Sequence, residues 1–220
     1  MSDEPLKIDL HVHTCYSCDG ITTLKEVVAY SKKRGLDGVA ITDHGTVAGA
    51  LQLTKTEGLI VIPGVEIETS HGHLLALNVT KPIPSKLNRP EIIERIHEEG
   101  GIAVACHPIA ILRIGWKPRM LEHLNLDAIE VINSATFPFA FSTRFSRNLA
   151  VRFSLPQTAG SDSHMPETIG MAYTLIDADP ETDEIIEAIR RGATVPQGKA
   201  KPWDLRLKKS FITVKKGFRA

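Results

Sequence analysis

Four short segments that lie far apart in the sequence each carry residues able to bind a metal ion. Each segment comes at the end of an apolar run typical of a β-strand. The residues are His11 and His13, Asp43 and His44, Glu66, and Asp162 and His164. Imidazole and carboxylate groups are common ligands of divalent transition metals. Because active sites of parallel α/β folds lie at the carboxyl ends of the strands, this placement predicts one multinuclear metal site.

Three further segments extend this set. His71 and His73 repeat the spacing of the first pair just before the apolar residues 74–77, His107 ends the apolar run 102–106, and Asp19 lies in a short polar loop. Taken alone, each residue has an ordinary explanation as a turn, surface or loop residue. Independent coincidences at the same edge of the fold are a poor explanation for the whole set, which we therefore interpret as one site.

The elements that must position these residues alternate between strand and helix. Apolar runs predict seven strands, at residues 8–11, 38–42, 59–65, 74–79, 102–105, 128–132 and 155–159. Capping and stop signals predict three helices, from Thr22 or Thr23 to Lys33, over 91–99 behind Pro90, and over 181–191 behind Pro180. Strands separated by helices imply parallel pairing with right-handed crossovers, and about seven such units suit a closed barrel.

In their order, these segments resemble the PHP (polymerase and histidinol phosphatase) family of metal-dependent phosphoesterases. The matching segments are 9–14 (DLHVHT), 19–20 (DG), 41–44 (ITDH), 64–67 (GVEI), 73–77 (HLLAL), 107–108 (HP) and 160–164 (GSDSH). The resemblance implies a distorted (β/α)7 barrel with up to three metal ions at the carboxyl ends of its strands. We expect residues 1–198 to form this catalytic domain and residues 199–220 to form a basic tail, packed on the same domain.

The resemblance also implies how the ligands are shared among the ions. The first ion would have the ligands His11, His13, Glu66 and Asp162. The second would have Glu66, His73 and His107, with Glu66 bridging, and the third would have Asp19, His44 and His164. The expected catalytic residues are Glu66, Asp162 and His164. Asp43 and His71 are left over, and Asp43 is expected to orient a ligating histidine.

The ligand types restrict the metal and the reaction. Mixed imidazole and carboxylate ligation without thiolate suits Zn²⁺, Mn²⁺ or Fe²⁺ better than Ca²⁺. Two or three such ions activate water and hold the oxygens of a phosphoryl group. This chemistry suits hydrolysis of a phosphate ester, and the resemblance implies a phosphatase for a small phosphomonoester, such as a nucleotide or a histidinol-phosphate-like compound. Two alternatives stay open, an exonuclease acting on short oligonucleotides and a nucleic-acid-binding subunit of a ribonucleoprotein.

Two groups of residues are candidates for substrate contacts. Arginine binds phosphate through two parallel hydrogen bonds, which makes Arg113, Arg144 and Arg147 candidate phosphate ligands. Residues 137–145 contain four phenylalanines. They would stack on a nucleobase or an aromatic leaving group, although packing into the core is the favoured interpretation.

Charge separates the tail from the rest of the chain. Residues 199–220 contain eight Lys and Arg and one acid, so the other 198 residues hold 18 basic and 25 acidic residues, a net charge of −7. An acidic body argues against a broad nucleic-acid surface. In the tail, Leu207, Phe211, Val214 and Phe218 recur at helical spacing. A helix docked on the barrel is the favoured interpretation, ahead of an arm that reaches substrate phosphate and of a membrane-surface or RNA-binding element.

Composition indicates in which cellular compartment the protein is expected. No apolar stretch approaches the roughly 20 residues that cross a bilayer, and the acidic N-terminus lacks the apolar core of a secretory signal. The three cysteines are odd in number, and no second cysteine pair joins Cys15 and Cys18 to complete a zinc site. A cytoplasmic protein is expected, and its oligomeric state stays open.

Overall fold

The computed structural model describes residues 4–70, 72–108 and 118–208. His71, Arg113 and the tail residues 209–220 lie outside the described residues. Among the described residues, nine strands form one sheet. They are β1 (Leu6–Val12), β2 (Gly38–Ile41), β3 (Ile60–Thr69), β4 (Gly72–Leu77), β5 (Ile102–Cys106), β6 (Ala128–Asn133), β7 (Gln157–Gly160), β8 (Ala172–Ile176) and β9 (Thr194–Gly198). All seven predicted strands are present, whereas β8 and β9 were not predicted.

The helices lie between these strands. They are α1 (Leu24–Lys33), α2 (Ala48–Leu53), α3 (Arg89–Glu98), α4 (Pro118–Leu121), α5 (Phe139–Arg152) and α6 (Thr182–Arg191). The predicted stop and start signals operate as expected, since Thr23 closes a capping box at α1 and Gly192 adopts a left-handed conformation (φ 74°) at the end of α6. The three predicted helices are therefore confirmed, with ends that differ by one or two residues.

The sheet curls into a nearly closed barrel with the strand order β7-β6-β5-β4-β3-β2-β1-β8-β9. Closure occurs where the loop after β7 meets the end of β1. There the backbone N–H of His13 donates to the carbonyl of Ser163 at 2.8 Å, and the N–H of Ser163 donates to the carbonyl of His11 at 3.3 Å. The closure therefore uses the same segments that carry candidate metal ligands.

Parallel pairing throughout the barrel was a wrong prediction. Strand β4 runs antiparallel to both β3 and β5, and β8 runs antiparallel to both β1 and β9. The physical reason at β4 is the connection, because only residues 70–71 separate β3 from β4 and a parallel crossover needs a dozen residues or more. The start of β4 consequently lies at the edge where parallel strands end, which brings His73 opposite Glu68 of β3.

Three clusters of buried apolar side chains stabilise the barrel. One joins β1–β5 to the isoleucines of α6. Another packs α3 and α5 against β4–β7, and a third packs α1 and α2 against β1–β3. No helix in the described ranges is both long and apolar enough to cross a membrane.

The first part of the tail contacts the barrel. The backbone N–H of Lys201 and the guanidinium of Arg206 donate to the carbonyls of loop residues 134–136, at 2.8 to 3.2 Å. Residues 203–208 are helical, and Lys208 forms an ion pair with Glu167. These contacts support docking for residues 199–208, but not through the predicted apolar positions, because Leu207 is 59% exposed. Docking of the apolar positions at 211–218 stays a prediction.

Removing the tail tests whether these contacts stabilise the fold. We expect a chain that ends at Gly198 to unfold at a Tm lower by about 5 °C or more, because several hydrogen bonds of about 1 kcal/mol each are lost. Differential scanning calorimetry measures the shift, and a chain that ends at Lys208 is the control that keeps the described contacts. An unchanged Tm together with a raised KM would contradict docking and favour an arm that reaches substrate phosphate.

Candidate metal centre

The Glu66 carboxylate lies at the centre of the site, and its two oxygens face different pairs of histidine rings. Oε1 lies 2.7 Å from Nδ1 of His73 and 3.0 Å from Nε2 of His107. Oε2 lies 3.2 Å from Nε2 of His11 and 3.1 Å from Nε2 of His13. The carboxylate is almost completely buried. This geometry is that expected of a carboxylate shared between two ions.

A second group of ligand atoms lies beside the first. Nε2 of His164 is 2.7 Å from Oδ2 of Asp19, and Nε2 of His44 is 3.9 Å from Oδ1 of Asp19. The rings of His13 and His164 stack with their centroids 4.2 Å apart. His44 Nε2 also lies 3.6 Å from Oε2 of Glu66, so the two groups are contiguous.

All nine predicted metal ligands fall into four overlapping groups whose ligand atoms lie within 4.8 Å of one another. The groups are Glu66, His73 and His107; His11, His13 and Glu66; His11, His107 and Asp162; and His13, Asp19, His44 and His164. The group of Glu66, His73 and His107 is the same as the ligand set expected for the second ion. The others differ in detail, since Asp162 groups with His107 and His13 joins the group of Asp19.

The spacing of these atoms fits bound ions. Nε2 of His11, Nε2 of His13 and Oε2 of Glu66 form a triangle with sides of 3.1 to 3.2 Å. Ligands at about 2.0–2.1 Å from a tetrahedral ion are separated by about 3.3 Å. His164 Nε2 lacks a hydrogen-bond partner of acceptable geometry despite its short distance to Asp19, as expected when two ligands face a common ion. The residues present therefore fit a multinuclear metal site.

The pKa shifts favour metal binding at two of the candidate ligands and oppose it at two others. Burial, together with the charge of His164, lowers the pKa of His13 to about 3, so its ring is neutral near pH 7. Burial alone would raise the pKa of Glu66, but the charge of His11 and hydrogen bonds from the surrounding rings hold it well below its usual range. Burial opposes protonation of His11 and His107, but the neighbouring carboxylates, chiefly Glu130 for His11 and Glu66 for His107, raise the pKa of both rings. Because neutral imidazole and ionised carboxylate are the forms that bind metal, these two rings must lose a proton when a cation binds.

Two candidate ligands have unusual backbone conformations. Asp162 has φ 50° and His107 has φ 29°, in the region that non-glycine residues rarely adopt. Such strained residues are concentrated at functional sites, where the surrounding structure holds them. Asp162 is placed 3.3 Å from Nδ1 of His164 and 3.6 Å from Nε2 of His13.

Glu130 is the principal site residue that the sequence interpretation missed. Its Oε1 accepts from Nδ1 of His11 at 2.9 Å, and its Oε2 accepts from the N–H of His107 at 2.8 Å and from the side-chain amide of Asn133 at 2.9 Å. Glu130 therefore fixes the orientation of one candidate ligand and the backbone of another. The available signal was a carboxylate in the middle of the apolar run 128–132, which is costly to bury without partners.

Asp9 and Asp43 have structural partners. Asp9 accepts from the backbone N–H groups of Ser161 and Gly170, both at 2.8 Å, and so joins β1 to the segments around β7 and β8. Burial raises the pKa of Asp9 to about 6. Asp43 accepts from the N–H and hydroxyl of Thr14 at 2.6 and 2.8 Å. Its hydrogen bonds thus fix the loop after His13 rather than a histidine ring, whereas Nδ1 of His11 has Glu130 as its carboxylate partner.

The residues predicted to contact substrate account for only part of the surface beside the metal ligands. A cleft of about 510 Å³ opens beside His44 and Glu66 and is bounded by Glu68 and residues 82–85. Arg144 and Arg147 are exposed on α5, and their role as phosphate ligands stays a prediction. Arg113 lies outside the described residues.

The phenylalanines of residues 137–145 divide into two classes. Phe139 and Phe145 pack against the core, as favoured from the sequence. Phe137 and Phe141 do not, because 47% and 54% of their surfaces are exposed.

The role of Glu130 can be tested without disturbing the ligands themselves. We expect Glu130→Gln to weaken metal binding by about 10- to 100-fold, because an amide cannot accept all three hydrogen bonds and the His11 ring loses its anionic partner. Isothermal titration with Mn²⁺ or Zn²⁺ measures the affinity, and Glu187→Gln on the exposed face of α6 is the control. Wild-type affinity in Glu130→Gln would show that Glu130 does not position His11.

Comparisons with known proteins agree with this geometry. Residues 9–131 match the PHP domain family, and residues 142–194 match a PHP-associated family. An uncharacterized protein of Methanocaldococcus jannaschii is 36% identical over 142 residues, which cover 59% of this chain and 82% of the relative. A protein of Syntrophotalea carbinolica named "Probable phosphatase" is 24% identical over 214 residues, which cover 78% of this chain and 86% of the relative.

A solved structure shows the same fold. It is a two-domain protein from Bacteroides vulgatus that contains a predicted PHP-like metal-dependent phosphoesterase. The TM-score is 0.75 at 19% identity, and the match covers 88% of this chain and 65% of that chain. With the family match over more than half of its length, this chain belongs to the PHP family of metal-dependent phosphoesterases.

Proposed function

We propose that this PHP-family enzyme is a phosphatase that hydrolyses a small phosphomonoester with two or three divalent transition-metal ions, Zn²⁺, Mn²⁺ or Fe²⁺. The observation that carries the proposal is the division of the Glu66 carboxylate, with Oε1 facing His73 and His107 and Oε2 facing His11 and His13. A carboxylate placed in this way would hold two cations at a fixed spacing, which suits a metal-assisted in-line phosphoryl displacement.

The buried and the more exposed residues of the site would have different roles. When bound, the ions polarise the phosphoryl oxygens and lower the pKa of water. Glu66 and Asp162 hold negative charge in a buried site, which favours cations there. Asp19 lies at the more open side, where 30% of its side chain is exposed, so it is placed to contact an entering phosphate or water, whereas His164 beside it is buried.

The shape of the site favours a small substrate. The cleft beside His44 and Glu66 has a volume of about 510 Å³, within the usual range for small-molecule sites. Outside the tail the chain carries a net charge of −7, which disfavours a long polyanion. A phosphomonoester of nucleotide size therefore suits the site better than a long nucleic acid.

A substrate screen tests this proposal. The metal-free protein is supplied in turn with Mn²⁺, Zn²⁺ and Fe²⁺ and assayed with phosphomonoesters, bis-phosphates and short oligonucleotides. We expect release of inorganic phosphate from a small monoester. Faster shortening of oligonucleotides from one end would replace phosphatase by exonuclease, and retention of RNA without any hydrolysis would support a binding subunit.

Metal content and Glu66 test the multinuclear site. Purified protein should bind two to three ions, because nine candidate ligands are grouped at about three or four per ion. Glu66→Gln should lose at least one ion and lower kcat by about 1000-fold or more, since the bridge that sets the spacing is weakened. Elemental analysis that finds no more than one ion in the saturated wild type would contradict the site, as would near-wild-type turnover in Glu66→Gln.

His73 and His71 provide a matched pair. Nδ1 of His73 is 2.7 Å from Glu66, and we expect His73→Ala to lose metal and to lower kcat by about 100-fold or more. His71→Ala, two residues away, should retain its metal and alter KM alone. Metal content and steady-state kinetics distinguish the two, and the reverse ranking would show that His71 is the ligand.

A further inference from the structure

Two exposed aromatic rings, one on the loop after β6 and one from the tail, lie against each other. Phe137 is 47% exposed and Trp203, from the tail, is 65% exposed. Their ring centroids are 5.3 Å apart with an interplanar angle of 65°. Exposed aromatic rings that pair with each other outside the core are typical of binding surfaces. We call this pair the aromatic platform.

Arg206 holds the aromatic platform in place. Its guanidinium donates to the carbonyls of Ser134, Ala135 and Thr136 at 2.9 to 3.2 Å, and it lies 5.9 Å from the Phe137 ring and 5.8 Å from the Trp203 ring. One side chain thus fixes the loop and contacts both rings. Such pre-organisation of exposed rings lowers the entropic cost of binding a ligand.

The loop connects the platform to the metal centre. The platform begins four residues after Asn133, whose side-chain amide donates to Glu130 at 2.9 Å and lies 3.4 Å from Oδ2 of Asp162. The positive charge of Arg206 lies against both rings and against the carbonyls of residues 134–136, which directly follow Asn133. An aromatic surface with a nearby cation beside a phosphoesterase centre has the chemistry to bind a base attached to a phosphate.

We propose that Phe137 and Trp203, held by Arg206, stack on the nucleobase of the substrate, so that the enzyme prefers phosphate esters of nucleosides. This inference rests on the proposed phosphatase function and adds a substrate class to it. It also gives the docked part of the tail a role, because residues 203–206 supply one ring and the cation that orders both.

Adenosine 5′-monophosphate and ribose 5-phosphate test the platform, since they share the sugar and phosphate and differ in the base. In the wild type we expect the higher kcat/KM for the nucleotide. Trp203→Ala should reduce this preference by about 10-fold, mainly through a higher KM for the nucleotide, as a base–aromatic stack contributes about 1–3 kcal/mol. Arg206→Lys, which keeps the charge but loses the fork of donors, should reduce the preference in the same direction.

Leu207→Ala is the matched control, because Leu207 is 59% exposed on the same helical segment but carries no ring. Metal content and Tm of every variant separate stacking from unfolding of the tail. An unaltered preference in Trp203→Ala, or an equal loss in Leu207→Ala, would overturn the proposal.

Measuring the binding of the two compounds distinguishes failure of the stacking proposal from failure of the phosphatase proposal. If neither compound is hydrolysed by the metal-loaded wild type, the phosphatase proposal fails for this substrate class. Equilibrium dialysis of the two compounds then tests stacking alone. Tighter binding of the nucleotide that is lost in Trp203→Ala would support the platform, and equal binding of both compounds would overturn it.

Discussion

Burial of the Glu66 carboxylate among four histidine rings is the constraint on which the rest of the structure depends. A buried carboxylate is costly unless cations or hydrogen bonds compensate its charge. Here the compensating groups come from β1, β4 and the end of β5, and each of these segments must reach the same point. The curvature of the sheet, the antiparallel position of β4 and the junction between β1 and the loop after β7 all serve that requirement.

A second layer of contacts makes the ligand positions rigid. Glu130 orients His11 and the backbone of His107, Asp9 joins β1 to the segment after β7, and Asp43 fixes the loop after His13. Gly160 is part of the same arrangement, because a Cβ atom there would lie 2.3 Å from the Cβ of His11. The strand β7 therefore packs closely on β1 at His11, so the position of this candidate ligand and the closure of the sheet depend on the same contacts.

Much of this arrangement could be predicted from the sequence. Ligands at strand ends follow from residue type and apolar pattern, and all nine candidates meet at one edge. The antiparallel turn at β4 was missed because a run such as residues 74–79 carries no information about strand direction. Glu130 was missed because a carboxylate in a strand shows its role only through tertiary partners. The exposed rings of Phe137 and Trp203 were missed because their environment depends on where the tail docks.

Anomalous X-ray diffraction tests the central claim most directly. Crystals grown with Mn²⁺ or Zn²⁺ would be measured at the absorption edge of the metal. The account predicts at least two peaks about 3.5–4 Å apart, one beside each oxygen of Glu66. A single peak that does not contact Glu66, or no peak near this carboxylate in metal-saturated crystals, would contradict it.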